Sequence, residues 1–239
     1  MHNFGVLLRG EMQRLVRYKI LQISFVVSLL WLGILFLIGS DHVADFVPLF
    51  IFIDVSMMTV LLVGANLFFE KQENTLKTLL ITPSDFVALL ASKFVSSLYL
   101  GLQSTVVIAL FAVLMFDVSI AVLWLIVFVL LITCVHTAIG FTFVVFVKDF
   151  NGLLAFTIFY MFLFAFPSIF FMLDLLPSSA EYWLMFSPTH AGMLMINYTF
   201  GEDVAWWLLL LGALYLVVLS AVLIRFVISP KYVETAVRE

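Results

Sequence analysis

Six stretches of this chain are long and apolar enough to cross a lipid bilayer, and they consume most of its 239 residues. They are residues 20–39, 46–69, 93–116, 119–147, 151–173 and 205–228, and none holds more than one charged side chain. A helix rises about 1.5 Å per residue, so about 20 apolar residues cross roughly 30 Å of hydrocarbon. Lipid offers the backbone no hydrogen bonds, so a run of this kind spans as a helix that satisfies itself. The expectation is an all-α membrane protein. Composition agrees: 65% of residues are hydrophobic and 11% charged, against roughly 45–50% and 25% in a soluble domain.

The first run follows Arg9, Arg14, Arg17 and Lys19, as the core of a secretory signal would. It is longer than the ~7–15 residues of such a core and no A-x-A-like site follows, so it is expected to remain as a spanning helix. The length of the fourth run predicts tilt or projection beyond the bilayer. In the fifth, Pro167 lacks a backbone donor and predicts a kink or a stop.

Cations set the orientation. With a cytoplasmic N-terminus, an even number of spans returns the C-terminus to the same side. The cytoplasmic segments then hold Arg9, Arg14, Arg17, Lys19, Lys71, Lys77, Lys93, Lys148, Arg225, Lys231 and Arg238, which are all 11 Lys and Arg residues. The outer loops hold only acids: Asp41, Asp45, Asp117, Asp174, Glu181, Glu202 and Asp203. This is the positive-inside asymmetry of a multi-pass membrane protein. No basic face suited to nucleic acid exists. Cys134 is the single cysteine, so no intrachain disulfide forms, and no Cys/His cluster has metal-ligand spacing.

Four regions lie outside the spans. In residues 1–19, Phe4, Leu8, Met12, Leu15 and Val16 share one helical face and Arg9, Gln13 and Arg17 another, which predicts an amphipathic helix on the inner leaflet. The outer region 174–204 holds Pro177, Pro188, Tyr182, Trp183 and the apolar piece 191–196. That piece is too short to span and is expected to be re-entrant or interfacial. The tail from residue 229 is short and polar. The inner loop, residues 70–92, begins EKQENTLKTLLITP. Leu76, Leu79 and Leu80 fall on one helical face, Glu73 and Lys77 are spaced as an i,i+4 ion pair, and Pro83 stops the helix. A leucine stripe with charged flanks suits a groove on a soluble partner.

Few side chains could carry chemistry. Asp54 lies in the second span and His136 in the fourth. They are expected ~12 Å and ~26 Å from the outer face, too different in depth to form an acid–base pair. Each suits a helix–helix polar contact as well as a functional role. With Asn66 they are the candidate translocation-pathway residues. His190 and the sequon Asn197-Tyr198-Thr199 fall in the outer region. No G-x-x-x-x-G-K-[ST] phosphate loop is present, so ATP-driven work would need another polypeptide. Neither a catalytic residue nor a metal site is assigned.

The pattern E-x-x-x-N-T-L-x-x-L-L-x-T-P, formed by Glu70, Asn74, Thr75, Leu76, Leu79, Leu80, Thr82 and Pro83, resembles the coupling-helix loop of ABC-2-type permeases. These are six-span membrane subunits of ATP-binding-cassette exporters. The family often has Gly where this chain has Asn74. The likeness extends to an N-terminal elbow helix at 1–19, six spans, and a re-entrant outer segment with a proline, here Pro188. The resemblance implies a type V exporter-like fold, with Glu70, Glu73, Thr75, Leu76, Leu79, Leu80 and Pro83 docking on an ATPase. It implies two permease subunits, identical or paired with a sister, on two copies of a separate ABC ATPase. ATP and Mg would be bound by that ATPase and no cofactor by this chain. Spans one, two and five would line the subunit interface, with Asp54 near the pathway. The setting would be a bacterial or archaeal inner membrane. The expected function is outward transport of an amphipathic drug or peptide. The alternatives are a permease for haem or cytochrome maturation, one for lipid-linked or polysaccharide export, and an intramembrane enzyme using Asp54 and His136.

Overall fold

A computed structural model describes residues 4–40, 42–73 and 86–231. Helix α1 spans Phe4–Arg17 and α2 Ile20–Ile38. Between them Lys19 takes a left-handed φ of 64°, which breaks the first helix and lets the chain turn sharply into the second. Helix α3 runs Val43–Gln72, α4 Phe86–Phe116, α5 Val122–Phe146 and α6 Phe150–Met172. A twelve-residue helix α7, Pro188–Thr199, precedes α8, Trp206–Lys231. Among the described residues α2, α3, α4, α5, α6 and α8 are long and apolar enough to cross a membrane.

The helices divide by burial. The apolar window of α3 is 78% buried and that of α5 56%, against 22% for α2, 28% for α6 and 17% for α8. So α3 and α5 form the centre, and α2, α6 and α8 present broad apolar faces outward. Small residues bring the central pair together, as packing without a hydrophobic driving force requires. A Cβ placed on Gly140 of α5 would sit 2.8 Å from the Val60 carbonyl oxygen of α3, and Gly64 of α3 likewise lets α6 approach, where a Cβ would lie 3.0 Å from a Leu153 methyl.

Among the described residues three spans contain a π-helical turn: Asp54–Met58 in α3, Met161–Ala165 in α6 and Leu223–Ile228 in α8. Pro167 neither ends α6 nor stands alone as its irregularity. The π-turn lies just before it, and the helix continues to Met172. The extra length expected of the fourth span belongs to the third: α4 has 31 residues, whereas α5 starts only at Val122.

Helix α7 folds back into the bundle. Ser187 caps it, accepting from the His190 backbone N–H, and Pro188 occupies its first turn. The Thr189 hydroxyl donates to the Phe164 carbonyl at 2.6 Å and lies 3.1 Å from the Ser168 hydroxyl. The far end of α7 accepts the Ala121 N–H on the Thr199 carbonyl at 2.8 Å. Asn197 of the sequon is thereby buried in a helix, out of reach of any modifying enzyme on the folded chain.

Candidate functional site: a buried charge cluster flanking the inner loop

Four charged side chains meet where α1 crosses the end of α3 and the beginning of α4. Lys93 donates to Glu70 and lies 2.8 Å from Glu11. Arg14 pairs with Glu11 on its own helix and reaches Glu70 through Nε at 3.2 Å. Glu11 and Glu70 are fully buried and Lys93 nearly so. Two acids and two bases cancel, which is the condition on which ionised groups tolerate burial. Burial pushes the Glu11 carboxyl up, but the Lys93 and Arg14 charges outweigh it and hold the group below its ordinary 4.5. Asn66 lies one turn before Glu70 and donates to it weakly, at 3.5 Å.

A second, wetter layer lies beside the first. The Tyr18 hydroxyl donates to Glu73 at 2.8 Å, and Arg17 approaches the same carboxylate at 3.5 Å. Partial burial, with the Glu73 carboxylate alongside, pushes the Tyr18 phenol up to about 12. Nearby, Lys71 donates to the Val147 carbonyl at the end of α5, 3.1 Å away, and Lys231 stands over the Phe146 ring. Lys71, Lys93, Lys231 and Arg14 therefore gather at one end of the bundle, as the charge asymmetry of the chain expects.

The cluster joins α3 and α4, the helices on either side of residues 74–85, to α1. Glu70 lies in the last turn of α3, and Lys93 belongs to α4. Among the described residues the four charges thus tie α1, α3 and α4 together. Thr75, Leu76, Leu79, Leu80 and Pro83, expected to dock a partner, lie outside the described residues, as do Asn74 and Thr82. Glu70 points into the bundle, while Glu73 is partly exposed and held by α1.

The pathway candidates have separate surroundings. Asp54, at the π-turn of α3, is buried and accepts the Trp31 indole N–H at 3.2 Å. His136 is fully buried and uses both ring nitrogens: Nδ1 lies 2.8 Å from the Ile132 carbonyl, and Nε2 3.1 Å from the Tyr160 hydroxyl. With Nδ1–H as donor, Nε2 accepts from Tyr160 and the imidazole is satisfied as a neutral contact between α5 and α6. Asp54 and His136 thus have different partners and form no acid–base couple. Among the described residues no group of His, Cys, Asp and Glu is arranged to hold a metal ion.

Comparison with known proteins decides the family. The profile described as ABC-2 family transporter protein matches residues 39–228, from the end of α2 through the π-turn of α8. The chain belongs to the ABC-2 family of transporters. Two fluoroquinolones export permease proteins, from two strains of Mycobacterium tuberculosis, are each 34% identical to it over 104 residues. Each match spans 43% of this chain and 43% of the relative. The chain is an ABC-2-type permease and a multi-pass membrane protein.

One member of this permease's charge cluster is invisible to pattern reading. Glu11 sits in α1 beside arginines that suggest a wet surface, yet the packed face of α1 centres on Glu11 and Leu15, and Val16 is exposed. The available signal is helical spacing: Glu11 and Leu15 are four apart and share a face.

Proposed function

We propose that this permease is the membrane subunit of an ATP-driven exporter that carries an amphipathic, drug-like molecule outward. A separate ABC ATPase would dock on the 70–92 loop and supply ATP and Mg. The reading is carried by the Glu11–Arg14–Glu70–Lys93 cluster, which clamps both helices entering that loop to α1. A docked motor needs such a rigid base, because a push on a loosely attached loop is absorbed locally and moves no span. Two permease copies would face each other through their exposed apolar helices, over two ATPases, with the loop and α1 on the cytoplasmic side. The drug class is taken from the M. tuberculosis relatives, which are fluoroquinolone export permeases by name.

The test is co-purification with the candidate ATPase, followed by transport in inverted vesicles with norfloxacin and ATP. Wild type should retain the ATPase and accumulate the drug. Leu79→Glu should lose the ATPase while remaining folded. ATP-independent accumulation, or an unaltered complex with Leu79→Glu, would refute the reading.

A further inference from the structure

We propose that a cavity at the opposite end of the bundle from α1 binds the ammonium head of an organic amine. It lies between the C-terminal end of α6 and helix α7 and holds about 280 Å³. Its walls combine Phe171, Met172, Met193 and Leu194 with His190, Asn197, Asp174 and Glu202.

The polar side chains carry the argument. His190 is 1% exposed and Asn197 5%. Neither His190 ring nitrogen, nor Asn197 Oδ1, has a hydrogen-bond partner among the described residues. Burying such atoms without partners costs about 1–3 kcal/mol each, so two such side chains in one cavity point to a ligand that supplies partners the protein withholds. The buried imidazole offers one donor and one acceptor, and Asn197 Oδ1 is an acceptor. At the exposed rim stand the Asp174 and Glu202 carboxylates, acceptors only. Acceptors thus outnumber donors in this lining, which favours an occupant with several N–H donors and positive charge.

A metal ion does not fit, because the acidic and imidazole groups do not converge on a point as ligands do. An ammonium group carries three donors on one centre. The apolar walls take the carbon skeleton, and the Phe171 ring stands edge-on to His190 at 5.2 Å. The volume suits a small amine or the cationic end of a larger amphiphile, being just under the usual range of drug pockets, roughly 300–1,000 Å³. The binding site is independent of the ATPase, and so of the export reading.

The test uses the purified permease in lipid nanodiscs, with dansylcadaverine as a fluorescent alkylammonium probe, its N-acetylated neutral form as control, and empty nanodiscs subtracted. Wild type should bind one probe per chain and the neutral form about tenfold more weakly or worse. His190→Phe keeps the ring against Phe171, and Asn197→Leu keeps the volume. Each should weaken binding by about tenfold while leaving the unfolding temperature equal or higher, because each removes a polar atom that has no partner. Asp174→Asn with Glu202→Gln should weaken binding by about threefold to tenfold. Equal binding of the charged and neutral probes overturns the proposal, as does unchanged affinity in Asn197→Leu. A fall in unfolding temperature in both His190→Phe and Asn197→Leu also overturns it, since those side chains would then be serving the fold.

Discussion

At the scale of single residues, Lys93 is the side chain whose loss leaves most charge unbalanced. Lys93→Met strands Glu11 and Glu70 against Arg14 alone, and removing one partner from a buried pair typically costs about 3–5 kcal/mol. Thermal unfolding of the purified permease should show that loss, and adding Glu70→Gln to Lys93→Met should recover part of it. Tyr18 gives a pH signature. Its phenol is raised from 10.0 to about 12 in the folded protein, so the folded state holds the proton more tightly. The stability it contributes is complete below pH 10 and disappears as pH rises toward 12. Tyr18→Phe should flatten the alkaline limb of the unfolding profile over that interval. Tyr160→Phe leaves Nε2 of His136 without its donor, and should cost about 1–3 kcal/mol of stability while transport per folded molecule persists. Residue roles were legible where chemistry is local and hidden where it is tertiary. An acid after an apolar run, such as Glu70, looks the same in sequence whether it faces water or a buried lysine. Only the approach of residues 11 and 93 decides.

Helices were far more legible than their details. Runs of apolar residues set where α2, α3, α5, α6 and α8 form, because lipid leaves the backbone no alternative. The full length of α4 is not marked by its apolar run, because the helix begins at Phe86, seven residues before Lys93. The π-turns escaped too. They have no compositional mark, and only the proline in α6 hinted at one. The contact of α3 with α5 rests on glycine, and that gives the prediction for this scale. Gly140→Val places branched carbon against the Val60 carbonyl, where even one Cβ would lie 2.8 Å away. Backbone cannot yield as a flexible side chain does, so overpacking of about 1–3 kcal/mol or more is expected. The unfolding temperature should fall further than for Gly33→Val in α2, where a Cβ meets nothing within 4 Å.

The whole molecule is lopsided. Its centre is α3 and α5, and its apolar perimeter is α2, α6 and α8, with Phe159 and Phe162 of α6 exposed. If two copies pair through α6, cysteines at Phe159 or Phe162, in a background with Cys134 replaced, should crosslink between copies in the membrane. A cysteine at Val217 of α8 should not, and crosslinking from Val217 alone would place the pair interface on α8.

The charge cluster also constrains how the chain is made. Glu11 leaves the ribosome some eighty residues ahead of Lys93, the cation it needs. A nascent chain arrested before residue 93 holds the cluster's two carboxylates but only its guanidinium against them, so its N-terminal segment should stay open to added protease. Once α4 has emerged and inserted, that segment should become resistant. The segment around Glu11 thus settles only after α4 has followed it, and its settling marks the point at which α2, α3 and α4 have assembled.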